Sequence, residues 1–186
     1  MGDPRLFTVS DVVTQEELKS LDGLIQDMLD TMVAANGAGL AAPQIGVMKR
    51  VVVYGIDVNP RYPDAEPIPL TVLVNPKIEP LSDEFEYDWE GCLSVPGIRG
   101  LVPRCGRIRY SALNPLGEKI GGKVDGFHAR VIQHECDHLD GVLYPMRIED
   151  LRDFGFEQEL MVQSLANSQE YQEFQELQEF KEISVE

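Results

Sequence analysis

No run of about 18 apolar residues occurs in the chain, so a membrane-spanning helix is not expected. The opening Met1-Gly2-Asp3-Pro4-Arg5 lacks the basic-then-apolar order of a secretory signal, and the expectation is a soluble, cytoplasmic protein. Cysteine is scarce: Cys92, Cys105 and Cys136 are an odd count without framework spacing, which excludes a disulfide scaffold and favours a reducing compartment. Positive charge is also short, with 16 Lys and Arg against 32 Asp and Glu and a formal net charge of -16. That balance disfavours direct binding to nucleic acid or to anionic membrane, since both would repel the protein. What remains is 186 residues, 43% of them hydrophobic, enough for one domain that buries roughly 70% of its unfolded surface.

Thr14 and Glu17 form a capping-box pattern, and Leu18, Leu21, Ile25, Met28 and Met32 then recur at helical spacing until Asn36-Gly37. Val51 to Tyr54 and Leu70 to Val74 read as strands flanking a loop with Pro60, Pro63, Pro67 and Pro69. Arg107 to Ala112 and Glu118 to Val124 read as a hairpin around Asn114-Pro115-Leu116-Gly117. A second helix follows, with Asp125 as its N-cap, Phe127, Val131, Ile132 and Leu139 as its apolar positions and Gly141 as its stop. Beyond Pro145, Phe154, Phe156, Leu160, Leu165, Tyr171, Phe174, Leu177 and Phe180 sit among Glu and Gln, a pattern for one or two amphipathic helices. The order gives an α+β arrangement of an N-terminal helix, several short strands, a second helix and an acidic C-terminal helical tail.

The second helix carries His134-Glu135-Cys136-Asp137-His138. At about 100° per residue, His138 lies roughly 40° and Glu135 roughly 100° from His134, so two imidazoles and a carboxylate share one sector. Such a set can hold a metal and move a proton. A third ligand is needed, and Cys92 in Glu90-Gly91-Cys92-Leu93-Ser94 is the candidate, with Gly91 allowing unusual backbone angles; an ordinary buried thiol is the other reading. Cys136 faces away from the imidazoles, and Cys105 has no other signal beside it. Gly37-Ala38-Gly39-Leu40-Ala41-Ala42-Pro43-Gln44 would let a substrate pass close to backbone and would present one amide donor, though a plain turn also fits.

Together these segments resemble peptide deformylase, whose motifs take the forms GxGLAAxQ, EGCLS and HExDH; here they read GAGLAAPQ at 37–44, EGCLS at 90–94 and HECDH at 134–138. The resemblance implies a catalytic domain over residues 1–150, with antiparallel sheets packed around a central helix that carries His134 and His138 and with 151–186 as its acidic helical extension, and one divalent metal per chain held by Cys92, His134 and His138. The family commonly uses ferrous iron, replaceable by nickel, cobalt or zinc. It implies hydrolysis of the formamide of N-formylmethionyl polypeptides, with Glu135 as acid and base on a metal-bound water. Gln44 and the backbone N–H of Leu93 would meet the oxyanion. Gly37, Ala38, Gly39 and Gly91 would line the substrate path, and Arg99 would meet the peptide backbone. By helical rotation Phe127, Arg130 and Val131 face the cleft and shape the methionine pocket, although Arg130 stands where an aliphatic residue is expected. Asp137 with Arg104 or Glu90 would orient the ligands, a surface ion pair being the alternative. The N-terminal segment looks shorter than is usual in the family, so a first strand or edge is expected to be missing. The acidic tail argues against an RNA tether, so any contact with the ribosome would be transient. The rival readings are a zincin-type peptidase, which would use a downstream His or Glu, and a closed metal module completed by Cys105.

Overall fold

A computed structural model describes residues 1–57 and 66–160. Helix α1 spans Asp22–Ala34, and strands β1 (Gly39–Ala41), β2 (Val51–Ile56) and β3 (Ile68–Pro80) follow. Next come β4 (Phe85–Cys92), β5 (Val95–Cys105), β6 (Arg107–Leu113), β7 (Lys119–Asp125), helix α2 (Gly126–Leu139) and β8 (Phe154–Phe156). The strands make two antiparallel sheets, ordered β1-β2-β3-β6-β7 and β4-β5-β8.

Strand β2 reads as an unbroken apolar run because both its faces are buried. Val52 and Tyr54 face α2, packing with Ala129, Ile132, Cys136 and Leu139. Val51 and Val53 face α1, packing with Ile25, Met28 and Met32. Each such side chain contributes about 1.5 to 3 kcal/mol when fully buried, so the helix bearing the histidines is fixed to the larger sheet along its length. Cys92, Val95 and Val102 of the smaller sheet pack with Leu143 and Tyr144, which follow α2, in a third buried cluster.

Most expected elements are present, with shifts that have physical causes. The Thr14–Glu17 box forms, Thr14 N–H donating to Glu17 and Glu17 N–H to Thr14, but it opens a short 3-10 turn at Glu17–Ser20 before α1 begins. Asp125 precedes α2 in extended conformation without a side-chain cap bond. Gly141 does stop α2: its φ is 73°, and Val142 N–H reaches back 2.9 Å to the carbonyl of Asp137. The expected C-terminal helix is corrected near its start, because Phe154–Phe156 pairs as β8 with Ile98 to Gly100. Leu165, Tyr171, Phe174, Leu177 and Phe180, like Pro60 and Pro63, lie outside the described residues. No helix among the described residues is long and apolar enough to cross a membrane.

Candidate metal centre and catalytic cleft

Strands β4 and β5 are joined through Leu93–Ser94, and the pairing shifts register between Gly91 and Cys92. The bulge, rather than an unusual backbone angle at Gly91, aims Cys92 at the helix; Gly91 is absent from the positive-φ glycines. Cys92 is buried, and its Sγ lies 3.3 Å from Nε2 of His138. The sulfur and one nitrogen each of His134 and His138 all lie within 4.8 Å of one another. Donors around a tetrahedral cation sit roughly 3.6 Å apart, given ligand bonds near 2.3 Å for sulfur and 2.0 to 2.1 Å for nitrogen. One thiol and two imidazoles are also a donor set that suits a first-row divalent ion. The residues therefore fit the metal.

The orientation of His134 comes from beneath. Its Nδ1 donates to Glu90 Oε2 at 2.8 Å, which leaves Nε2 free to coordinate. Arg104 forks onto Glu90, Nε to Oε1 and Nη2 to Oε2, both at 2.9 Å, and its Nη1 donates to Asp137. Asp137 accepts in turn from Arg147. Burial alone would raise the pKa of Glu90, but hydrogen bonds from Arg104 and His134 outweigh it and hold the carboxyl well below its usual range. Burial lowers the pKa of His138 well below the usual imidazole value, with help from the charge of His134. For His134 the bonds to Cys92 and Glu90 overcome burial and raise it.

Glu135 occupies the facing wall. Burial pushes its pKa up to about 7, and its Oε2 is buried with no hydrogen-bond partner among the described residues. A Cβ on Gly39 would come within 2.5 Å of Glu135 Oε1, so β1 approaches this carboxylate only because residue 39 has no side chain. Gln44 is set by its own backbone: Ala41 N–H donates to its Oε1 at 2.8 Å, turning Nε2 towards Cys92 Sγ at 3.6 Å and Ser94 Oγ at 3.2 Å.

Cys92, His134 and Glu135 line a solvent-open cleft whose wall also includes Gly37, Ala38, Gly39, Gln44, Gly91, Leu93, Phe127, Arg130 and Val131. Arg99 does not line this cleft, and its Nε pairs with Glu157 at 2.7 Å. Arg130 lines the cleft, but its guanidinium turns inward to Glu90, Val102 O and Glu86 O. Cys105 points to the carbonyls of Ser82 and Arg107 and is not among the three converging donors, and burial pushes the Cys136 thiol up to about 12. Sequence reasoning missed Ser94, Trp89 and Arg147. Ser94 lay within a motif already in hand, whereas Arg147 had no signal.

Comparison with known proteins gives a consistent result. The family model for polypeptide deformylase matches residues 1–154. Peptide deformylase 1 of Nitrosomonas europaea is 59% identical over 160 residues, covering 86% of this chain and 91% of that protein. Peptide deformylase 1 of Bordetella pertussis is 56% identical over 168 residues, 90% of this chain and 96% of its own. Among solved structures, the Met-Ala-Ser-bound class I type b peptide deformylase of Acinetobacter baumannii superposes with a TM-score of 0.77 at 41% identity, covering 80% of this chain and 94% of that one. The actinonin complex of the Synechococcus elongatus peptide deformylase gives 0.73 at 38% identity, covering 82% and 78%.

Proposed function

The chain belongs to the polypeptide deformylase family, metal-dependent hydrolases that remove the formyl group from N-formylmethionyl polypeptides, and from that premise we propose how its residues divide the work. Cys92, His134 and His138 would hold one ferrous ion, which when bound polarises the formyl carbonyl and makes water nucleophilic near neutral pH. Nickel, cobalt or zinc would fit the same donors. Glu135 takes the proton of the attacking water and returns it to the departing amine; a buried carboxyl poised near neutrality is suited to both transfers. Gln44, its amide already oriented by Ala41, and the N–H of Leu93 donate to the oxygen on which negative charge develops. Phe127, Val131 and the stem of Arg130 form the pocket for the methionine side chain. Glu90, Arg104 and Asp137 keep His134 in its coordinating tautomer.

The observation that carries this reading is the convergence of Cys92 Sγ with the two imidazoles beside the unpartnered oxygen of Glu135. We further infer action in the cytoplasm of a bacterium, on chains emerging from the ribosome, with only transient proximity to it. The test is anaerobic iron loading followed by formate detection with a formyl-Met peptide, comparing the native chain with Glu135→Ala. The variant should bind metal and lose most turnover. Equal formate release by both would remove Glu135 from the mechanism.

A further inference from the structure

Strand β4 continues outward from the cleft with an alternation that the chemistry does not use. Phe85, Tyr87 and Trp89 occupy every second position, share one face of the sheet, and are 63%, 54% and 37% exposed. Across β5, half-buried Leu101 stands opposite Trp89 and half-buried Pro103 opposite Tyr87. Strand β4 is the outer strand of its sheet among the described residues, and Tyr87 is steadied by a 2.9 Å hydrogen bond from its hydroxyl to Glu149. Contiguous exposed apolar surface of this kind marks an interaction site. Trp89 also lines the cleft, so the aromatic face and the catalytic site are one continuous surface.

Charge selects the occupant. Asp83 and Glu84 precede the aromatic residues, and Glu86 and Asp88 alternate with them on the opposite face of the same outer strand, so a chain laid along its edge would meet aromatic groups on one face and carboxylates on the other. Acidic side chains on an outer strand discourage pairing with a second, equally acidic copy, and they repel acidic peptides. Resting on the deformylase reading, we propose that this face is a track for the substrate polypeptide downstream of its formylmethionine, taking apolar side chains flanked by basic ones and rejecting acidic segments. Phe85 lies four residues from Trp89, about 13 Å along the strand. A tripeptide in the cleft would not reach it, whereas a chain of about nine residues would.

Formate release is compared for formyl-Met-Ala-Ser and for the same tripeptide extended by six residues, either Leu and Lys, Gly and Ser, or Leu and Glu. The Leu and Lys extension should lower KM roughly fivefold to tenfold relative to the tripeptide, and the other two should not. That ratio should collapse towards one in Phe85→Ser/Tyr87→Ser. Trp89 is the only tryptophan and borders the cleft, so on titrating Glu135→Ala its emission should shift further with the Leu and Lys peptide than with the tripeptide. Equal ratios for the three extensions, or a ratio that survives in the double variant, would overturn the track. So would a Trp89 shielded from acrylamide in the peptide-free protein, since the chain itself would then cover the face. Absence of formate from every peptide, the tripeptide included, would instead overturn the deformylase reading.

Discussion

Gly39→Ala isolates the placement of Glu135 from everything else in the site. Residue 39 lies in β1, opposite Tyr54 of β2, and its φ is not positive, so the backbone accepts alanine. The new methyl would stand 2.5 Å from Oε1 and 2.8 Å from both Cδ and Cγ of Glu135, where ordinary contact needs at least 3.4 Å. The obstacle is the end of a side chain rather than backbone, so the fold survives and the carboxylate yields by roughly 1 Å. A displacement of that size at a reacting group can reduce turnover about 10²-fold, or about 2.7 kcal/mol in the barrier. Stability should change by no more than about 1 kcal/mol, a shift in Tm of roughly 2 to 4 °C for a chain of this size. The assay is kcat for formate release at saturating peptide, with metal content and Tm measured on the same preparation. Native kcat in a folded, metal-replete Gly39→Ala protein would refute the placement of Glu135 against β1.

Other expectations bear on the metal and its support. Removing metal with a chelator should abolish formate release and lower Tm by roughly 5 to 10 °C, the loss of about 2.7 kcal/mol expected for a ligand at a hundredfold its Kd; Cys92→Ser should show no such chelator-dependent shift, and a shift equal to the native one would exclude Cys92 as a ligand. Arg104→Met leaves Glu90 and Asp137 short of a buried cation and should destabilise by about 3 to 5 kcal/mol in urea denaturation, so a loss below about 1 kcal/mol would contradict the network. Glu90 has a depressed folded pKa, so its contribution to stability is complete above the unfolded value of about 4.3 and is lost as the pH falls towards the folded one. Glu90→Gln should therefore flatten the acid limb of the stability curve below about pH 4.3, and parallel curves for the two proteins would argue against it.

The helix of His134 and His138 was legible because its ligands, its apolar stripe and its stop all obey one period. Strand β2 and the β6–β7 hairpin were legible for a similar reason, their apolar runs and turn residues agreeing. Strands β4 and β5 were not. In β4 the aromatic and acidic residues alternate, but residues 85–89 are exposed on both faces, so the pattern marks no buried stripe, while β5 is interrupted by Pro96, Gly97, Gly100 and Pro103. Arg130 shows a different limit. Helical rotation placed its Cα in the cleft sector, as found, but rotation says nothing of where a long side chain ends. Its guanidinium found Glu90 and two carbonyls, and an interior partner of that sort is fixed by tertiary packing alone.

That packing explains why so many ions lie under one histidine in a protein otherwise short of cations. Glu90 and Asp137 are buried, and either carboxylate alone would be strongly penalised. Arg104 spans both, Arg130 closes on Glu90 from α2, and Arg147 closes on Asp137 from the solvent side. Buried ion pairs seldom stabilise more than apolar side chains of equal volume would, so stability does not account for five charged groups here. Orientation does. An apolar residue at position 90 could fill the space but could not accept the Nδ1 proton of His134, and without that acceptor Nε2 has no fixed tautomer to offer a metal. The guanidinium groups in turn keep Glu90 ionised, so that it accepts rather than donates at neutral pH. The network is thus the condition for one ring nitrogen to present a lone pair, in a fixed direction, to the place where Cys92 and His138 converge.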